Sequence, residues 1–306
     1  MNGYFVTITL DYVVTGGAGF VGSHLVNHLI NEGHSVTVVD NLHSGKIKNL
    51  EPVFNKIEFH KIDILDFQQL REILKNSDGV FHQAALTVVQ DSFTMQEKYH
   101  NVNVNGTENI FKIAQEFGFK VVYASSSSVY GNTEKIPISE DTERKPINPY
   151  GKTKLEDEFL VDKYAEKGVS IIGLRYFNIY GRGQSLSYAG VITKFMENLT
   201  HAKPPIIYGD GSQLRDFVYV CDVARANLMA MKSDVKTALI NIGSGVTISI
   251  TELAEMMIES SGLSIKPKYV DPVDGDILKS QANIDLARKI LKWEPKTKLK
   301  DWLDHI

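Results

Sequence analysis

The sequence feature that most constrains the fold is a glycine-rich stretch, TGGAGFVG, at residues 15–22. An apolar segment with strand composition precedes it at residues 10–14, and apolar residues recur behind it at helical spacing. A strand, a glycine-rich turn and a helix in this order are the context of a dinucleotide-binding site. In such a turn Gly16 permits the tight bend, Gly19 lets the backbone approach a pyrophosphate, and Gly22 lets the helix pack closely. The first amides of the helix then face the phosphates.

The spacing of these glycines and a later acidic residue indicate which dinucleotide fits. The glycines follow the pattern GxxGxxG rather than the commoner GxGxxG, and no lysine follows as in a P-loop. A second predicted strand, residues 36–39, leads into Asp40, which lies 18 residues beyond Gly22. A carboxylate at that point accepts hydrogen bonds from the adenosine ribose and repels a 2′-phosphate. The sequence therefore predicts NAD, rather than NADP, as the cofactor.

Composition and charge exclude several other classes of function. The chain has 306 residues, 43% hydrophobic and 23% charged, which is ordinary for a globular protein of one or two domains. A net charge of −4 gives no reason to expect a nucleic acid or a membrane as partner. A single cysteine, Cys221, is typical of the reducing cytoplasm, and no CxxC or HExxH spacing indicates a metal. With no secretory h-region and no apolar run of about 20 residues, we expect a cytoplasmic protein.

Short apolar segments alternate with helical patterns up to about residue 180, and loops rich in Gly, Pro and Ser follow. Residues 1–9 precede the first strand and have no assigned role. Alternation of this kind predicts an α/β fold with a doubly wound parallel sheet, the Rossmann arrangement, and right-handed crossovers. We expect an NAD-binding domain at residues 1–180 and a smaller mixed α/β substrate domain at 181–306, with parts of 216–245 returning to the first domain.

One helix start carries the residues that predict chemistry. Tyr150 and Lys154 lie four residues apart on a helix that opens after Pro149, so both side chains point the same way. A phenol has a pKa of about 10 and is a poor base at neutral pH. The Lys154 ammonium, together with a positive nicotinamide ring, favours the phenolate. Ser126, at the end of a predicted strand, is placed to orient the same substrate hydroxyl. These residues predict removal of a hydroxyl proton coupled to hydride transfer from the same carbon.

Two residues near the predicted cofactor site have alternative interpretations. Asp63 either accepts a hydrogen bond from the adenine amino group or caps the helix predicted near 67–74. His82, at the end of a predicted strand, is either a packed residue, which we favour, or a catalytic one.

Eight motifs in a fixed order identify the chain as similar to a known family. They are TGGAGFVG at 15–22, Asp40-Asn41, NVNVNGT at 101–107, SSSSVYG at 125–131, YGKTK at 150–154, RYFNIYG at 175–181, YGDGSQLRDFVYV at 208–220 and NIGSG at 241–245. Together they resemble the extended short-chain dehydrogenase/reductases, and specifically the UDP-galactose, or UDP-hexose, 4-epimerases. The resemblance covers nearly the whole chain and implies a tightly held NAD, a nucleotide-sugar substrate and a transient 4-keto sugar.

The resemblance also implies site residues. Ser126, Tyr150 and Lys154 match the catalytic set. The positions that match cofactor contacts are Gly16, Gly19, Phe20, Val21, Gly22, Asp40, Asn41, Ser44, Gly45, Asp63, Ile64, Gln83, Ala84, Ala85, Asn103, Tyr150, Lys154 and Tyr176. Those that match the nucleotide-sugar site are Ser126, Tyr150, Asn178, Val191, Tyr208, Arg215 and Asp276.

Two of these substrate positions also have structural interpretations. A guanidinium suits a diphosphate, but Arg215 could instead pair with its neighbour Asp216. Tyr208 could pack on a pyrimidine ring or serve as a core aromatic. The family further implies a homodimer formed through the helices around 100–117 and 150–166.

The sequence departs from related enzymes in ways that narrow the reaction. Dehydratases and decarboxylases of this family carry an acid between the catalytic serine or threonine and the VYG motif, where this chain has Ser127 and Ser128. An arginine that is usual in the family two residues before the late Gly-Asp pair is replaced by Val273, so one diphosphate contact is either missing or supplied elsewhere. The resemblance also implies that a position whose bulk gates N-acetylated sugars in the family corresponds to Ser280, which is small. We therefore favour an NAD-dependent UDP-hexose 4-epimerase that admits N-acetylhexosamines. The alternatives are a UDP-glucuronate 4-epimerase and a non-catalytic NAD-binding regulator.

Overall fold

The computed structural model describes residues 9–184, 190–272 and 277–305. Its strands are β1 Asp11–Thr15, β2 Ser35–Val39, β3 Ile57–His60, β4 Gly79–His82, β5 Lys120–Ser126, β6 Ile171–Tyr176, β7 Asn178–Tyr180, β8 Ile206–Tyr208, β9 Leu214–Tyr219, β10 Thr237–Ile242, β11 Thr247–Ser249 and β12 Lys268–Val270. Its helices are α1 Phe20–Asn31, α2 Phe67–Leu74, α3 Val89–Thr94, α4 Gln96–Tyr99, α5 Gly106–Phe117, α6 Pro149–Ala165, α7 Val191–Thr200, α8 Val220–Lys232, α9 Ile250–Ser261 and α10 Leu299–Leu303. Segments of 3₁₀ or π-helical geometry cover Ile47–Lys56, His100–Asn105, Ser127–Tyr130 and Ala287–Leu291.

Within these ranges seven strands form one sheet in the order β3-β2-β1-β4-β5-β6-β10. Every neighbouring pair is parallel. Because β1 lies between β2 and β4, the chain leaves β1 in one direction and later returns on its other side. The carboxyl ends of β1 and β4 therefore border the crevice in which such sheets bind ligands. The predicted doubly wound parallel sheet is confirmed.

Side chains alternate between two cores along the central strands. Val14 belongs to the core beneath α1 and α8, whereas Val13 belongs to the core beneath α2, α5 and α6. Helices cover both faces of this parallel sheet, so the side chains on both faces of its strands are buried. This is why the strand sequences are nearly continuous apolar runs.

The second half of the chain builds a smaller mixed unit and also contributes to the main sheet. One small sheet, β7-β9-β11, combines parallel and antiparallel pairs, and β8 pairs with β12. A third apolar core lies among α7, α9 and α10. Meanwhile α8 packs on α1, β5 and β6, and β10 is the edge strand beside β6. The described ranges hold no helix long and apolar enough to cross a bilayer.

Candidate active site

The glycine-rich turn at the carboxyl end of β1 is packed too tightly for side chains. Gly16 has φ +68°, and a Cβ there would lie 2.6 Å from the Ala84 amide nitrogen. A Cβ on Gly22 would lie 2.1 Å from the Gly16 carbonyl oxygen, so α1 packs directly against the turn. Gly19 precedes α1, and no side chain caps the helix. The amino end of α1, with its favourable dipole, is therefore available to an anion.

A cavity of about 580 Å³ opens beside this turn, at the carboxyl ends of β1, β2 and β4. Thirteen of the residues predicted to contact the cofactor line it: Gly16, Gly19, Phe20, Val21, Gly22, Asp40, Asn41, Ser44, Asp63, Ile64, Gln83, Ala84 and Ala85. Other lining residues were not predicted, among them His43, Lys46, Lys48, Asn49, Lys98 and Gln184. Lys98 lies on α4, Lys48 and Asn49 lie in the helical segment Ile47–Lys56, and the others lie in loops. They share no spacing by which a sequence motif could have predicted them.

Asp40 is held in place by backbone donors. Its Oδ2 accepts a hydrogen bond from the Ala18 amide at 3.0 Å, and its Oδ1 accepts one from the Leu42 amide at 2.7 Å. Burial raises the pKa of Asp40, and both hydrogen bonds oppose that effect. Each carboxylate oxygen can accept a further bond, so the side chain can still receive donors from a ribose in the cavity. Together with the uncapped helix and the glycine turn, this arrangement fits NAD.

Asp63 lines the cavity and does not cap the following helix. Its Oδ2 accepts from the Asn41 amide group at 2.8 Å and its Oδ1 from the Leu65 backbone amide at 2.9 Å. The residue that caps α2 is Asp66, whose carboxylate accepts from the Gln69 amide. The capping interpretation of Asp63 is therefore wrong, because the helix begins three residues later than that role requires.

Five of the predicted cofactor residues do not line this cavity, namely Gly45, Asn103, Tyr150, Lys154 and Tyr176. The Asn103 amide is buried and bonds the Leu86 backbone and the Thr153 hydroxyl. Gly45 packs on Asp40, since a Cβ there would lie 2.8 Å from Oδ2. The Tyr176 side chain is also buried.

Tyr176 belongs to a hydrogen-bonded group that sequence patterns do not reveal. Asn227 Nδ2 on α8 donates to the Tyr176 hydroxyl at 2.8 Å, and that hydroxyl donates to Gln83 Oε1 at 3.2 Å. Burial raises the pKa of Tyr176, which keeps this phenol neutral. Asn227 thus connects α8 with the wall of the cavity, although no motif points to it.

The predicted catalytic residues lie on two adjoining segments, Tyr150 and Lys154 on α6 and Ser126 at the end of β5. Asn148 caps this helix, because its Oδ1 accepts from the Gly151 amide at 2.7 Å. A Cβ on Gly151 would lie 2.8 Å from the Ser128 carbonyl oxygen, so the first turn of α6 packs on the turn that follows β5. Ser126 ends β5, and its hydroxyl accepts from the Ser128 amide at 3.2 Å. Tyr150 and Ser126 are therefore on two segments in direct contact.

Lys154 is buried on α6 and paired with a carboxylate that the motif analysis missed. Its Nζ donates to Asp157 Oδ2 at 3.1 Å, and the two side chains are 3% and 0% exposed. The sequence does show a lysine and an aspartate three residues apart on a helix, a spacing at which the two side chains can pair. That spacing is common on solvated helix faces, so the sequence did not distinguish a buried pair.

A second cavity, of about 230 Å³, is lined by four of the residues predicted to bind the nucleotide sugar, namely Asn178, Val191, Tyr208 and Arg215, whereas Ser126 and Tyr150 do not line it. Tyr208 is 47% exposed, so its interpretation as a core aromatic is wrong. The residue Asp276 lies outside the described residues, as does Val273.

Asp216 is not the partner of its neighbour Arg215. Consecutive residues on a strand point to opposite faces. The Asp216 carboxylate is buried and accepts from the backbone amides of Ser244, Gly245 and Ala282. Arg215 instead lines the second cavity.

His82 is a packed residue, as we favoured. It is 2% exposed, and its two ring nitrogens share hydrogen bonds with the hydroxyls of Thr15 at 2.7 Å and Thr107 at 2.9 Å. Burial, and secondarily the charge of Lys154, lowers the pKa of His82 to about 3. A neutral imidazole enclosed in this way joins β1, β4 and α5.

Comparison with known proteins gives consistent matches over the whole chain. Residues 12–243 match the family described as the NAD dependent epimerase/dehydratase family. A putative UDP-glucose 4-epimerase of Methanocaldococcus jannaschii is 37% identical over 299 residues, which are 96% of each chain. A UDP-N-acetyl-alpha-D-glucosaminuronate decarboxylase of Bacillus cytotoxicus is 40% identical over 265 residues, covering 84% of this chain and 82% of the relative.

A solved structure matches equally well. The UDP-N-acetylglucosamine 4-epimerase from Methanobrevibacter ruminantium, in complex with UDP-N-acetylmuramic acid, superposes with a TM-score of 0.92 at 36% identity. The match covers 97% of this chain and 96% of the other.

Proposed function

Because this chain belongs to the NAD-dependent epimerase/dehydratase family, we propose that it inverts the configuration at C4 of a UDP-hexose. The substrates we propose are UDP-galactose and UDP-glucose, together with their N-acetylated forms. Similarity to a putative UDP-glucose 4-epimerase and to a UDP-N-acetylglucosamine 4-epimerase supports this choice.

The cofactor is NAD, and the residues that would hold it line the larger cavity. Asp40 would accept the ribose hydroxyls, and the amino end of α1 would face the pyrophosphate. Bound NAD supplies the acceptor for a hydride from C4 and the donor that returns it. Of this hydrogen-bonded group Gln83 lines the cavity, and its side chain is held from behind by Asn227 and Tyr176.

The observation that most supports catalysis is the packing of the Tyr150 helix start on the Ser126 turn, with Lys154 buried one helical turn further along. Tyr150 would take the proton from the C4 hydroxyl as its carbon is oxidised and return it after the keto sugar turns over. The ammonium of Lys154, one helical turn further along α6, would stabilise negative charge that develops on the Tyr150 oxygen. Ser126 would orient the sugar hydroxyl through its own hydroxyl group, which accepts a hydrogen bond from the Ser128 amide and retains a proton to donate.

The smaller cavity suits the nucleotide part of the substrate. The Arg215 guanidinium can bind a diphosphate through two donors, and the exposed Tyr208 ring offers a surface for the base. Asn178 shares this cavity, and its amide also donates to the Asp216 carbonyl at 3.0 Å. We propose that the sugar extends from here toward Tyr150.

A decarboxylase function, which the relative from Bacillus cytotoxicus would suggest, is disfavoured by the turn after Ser126. Loss of carbon dioxide leaves a second carbon of the sugar to be protonated, which needs an additional acid or base. The residues that follow Ser126 are Ser127 and Ser128, and the Ser128 side chain is buried. A hydroxyl cannot act as that acid at neutral pH. One acid/base and one hydride carrier suffice for epimerisation.

The proposal is tested by incubating the purified protein with a panel of UDP-sugars and dTDP-sugars and identifying the products. We expect interconversion of UDP-galactose and UDP-glucose or of their N-acetylated forms. Inversion of UDP-glucuronate alone would identify the alternative epimerase, and release of carbon dioxide would identify a decarboxylase. Absence of any turnover by protein that retains NAD would favour a non-catalytic regulator.

A further inference from the structure

Lys154 is enclosed in the protein with one carboxylate as its counterion. Asp157 lies one helical turn further along α6, and its Oδ2 accepts from Lys154 Nζ at 3.1 Å. Neither side chain has meaningful access to solvent, with 3% and 0% exposure. The pair is therefore an internal part of the helix that also carries Tyr150.

A lysine this deeply buried needs a counterion to stay charged. Taking an ammonium out of water favours the neutral amine and can lower a lysine pKa by several units. Burial acts in this direction on Lys154, but the charge of Asp157 opposes it, followed by that of Tyr150. The pKa of Lys154 consequently lies above its ordinary value.

Apart from Lys154, few groups stabilise the charge of the Asp157 carboxylate. Its Oδ1 receives no hydrogen bond within the described structure. The nearby Thr107 hydroxyl also lowers the pKa of Asp157. In the structure, however, this hydroxyl is hydrogen-bonded to His82 Nε2, at 2.9 Å. Burial raises the pKa of Asp157 to about 6, and Lys154 is the main group that opposes the rise. Lys154 and Asp157 thus depend on each other for charge.

We propose that Asp157 is a positioning residue that keeps Lys154 protonated and fixes its ammonium group relative to Tyr150. The inference rests on the proposed function, in which the ammonium must be present for Tyr150 to act as a base. A neutral amine would give the phenolate no electrostatic support, so turnover would fail at the pH where Lys154 loses its proton. Asp157 would therefore extend activity toward alkaline pH.

The other charged groups around this pair cannot take over the role. On α6, Glu156 is 44% exposed and pairs with His100, and Glu158 is bound by Arg175 and Arg144. Among the described residues, the remaining titratable neighbours are Tyr150 on the same helix, Tyr123 on β5, whose pKa burial raises well above its ordinary value, and His82 on β4. His82 is neutral above its low pKa, and its ring nitrogens are occupied by threonine hydroxyls.

The test is the pH profile of kcat for Asp157→Asn, which keeps the shape and removes the charge. We expect the alkaline limb of the profile to move about 1–3 pH units lower, while KM for the UDP-sugar stays unchanged. Asp157→Glu restores the charge and should return the limb toward that of the wild type. Glu156→Gln is the matched control, because it removes an exposed carboxylate one residue earlier and should leave the profile unaltered.

A merely structural ion pair predicts a different result. Asp157→Asn would then lower the melting temperature and leave the alkaline limb in place, and that outcome would overturn the inference. If Asp157→Asn does not fold, Asp157→Ser, which leaves room for a water against Nζ, is measured with the same expectation.

Two further variants distinguish failure of the proposed function from failure of this inference. If Tyr150→Phe and Lys154→Met retain full turnover, the assigned chemistry fails. If both variants lose turnover while Asp157→Asn keeps the wild-type pH profile, only the role of Asp157 fails.

Discussion

Tyr150 stands two residues after the helix cap Asn148 and one after Pro149, so the backbone around it is fixed before any ligand binds. Its amide donates to the Ser92 hydroxyl at 3.2 Å, which connects the helix start to α3. A base on a rigid, capped helix start can be positioned more reproducibly than one on a loop.

Replacing Tyr150 by phenylalanine removes the proposed base without altering the shape of the site. We expect kcat to fall about 10²–10⁴-fold, the usual contribution of a general acid or base, while bound NAD is retained. Activity assays and the ultraviolet absorbance of the purified protein measure these two quantities. Tyr164→Phe is a matched control on the same helix, since its hydroxyl donates to Glu108 away from the site. Undiminished turnover by Tyr150→Phe would refute the mechanism.

Ser280 is the residue through which we predict tolerance of N-acetylated sugars. Its side chain is buried, and its backbone amide donates to the Leu214 carbonyl at 3.0 Å, next to Arg215. Ser280→Tyr should lower kcat/KM for UDP-N-acetylgalactosamine relative to UDP-galactose by at least about tenfold, because the larger ring occupies the space for the acetyl group. Kinetic comparison of both sugars tests this. The same selectivity in the wild type and the variant would remove the hypothesis.

At the scale of elements, the contact between the β1–α1 turn and its own helix decides where the cofactor site forms. The approach of Gly22 to the Gly16 carbonyl leaves no room for a methyl group. The sequence revealed this turn because glycine is needed wherever backbone approaches backbone so closely. The strands β1 to β6 and the start of α6 could also be predicted from the sequence, because buried parallel strands and helix caps depend on local composition.

Gly22→Ala should therefore damage both cofactor binding and stability. The added Cβ would lie 2.1 Å from the Gly16 oxygen, so the helix must move away from the turn. We expect loss of bound NAD and a decrease of about 1–3 kcal/mol in the free energy of unfolding, typical of overpacking. Gly190→Ala is the control, because the nearest atoms to a Cβ there, on Gln184, are 3.9 Å away. Normal NAD content in Gly22→Ala would contradict the assigned role of the turn.

His82 joins three elements and gives the fold a predictable response to acid. Its pKa is about 3 in the folded chain and about 6.5 when unfolded, so the unfolded chain binds more protons between these values. The free energy of unfolding should therefore fall as the pH decreases from 6.5 toward 3, by at most about 1.4 kcal/mol per pH unit from this residue.

Comparison of the wild type with His82→Gln in denaturant titrations at several pH values isolates this contribution. The variant should show a flatter dependence over that range, and Asp157, whose raised pKa has the opposite effect, is present in both proteins. His201→Gln, at an exposed position, should behave like the wild type. Parallel curves for wild type and His82→Gln would show that His82 does not contribute.

At the scale of the whole molecule, one end of the parallel sheet brings together residues that are far apart in the sequence. The prediction found the motif residues but missed Asp157, Asn227 and the cations around the cavity. Their roles depend on tertiary packing: Asp157 matters because it is buried with Lys154, and Asn227 because α8 returns to the main sheet. The expected homodimer stays a prediction, although Phe117 on α5 and Phe159 on α6 are both partly exposed, at 36% and 53%.

The account as a whole requires that hydrogen leave C4 of the sugar and return to the same carbon. The most direct measurement uses the UDP-hexose that the protein converts, labelled with deuterium at C4 and incubated in ordinary water. We predict that the inverted product, examined by NMR and mass spectrometry, retains deuterium at C4. An inverted product with solvent hydrogen at C4 would contradict the account.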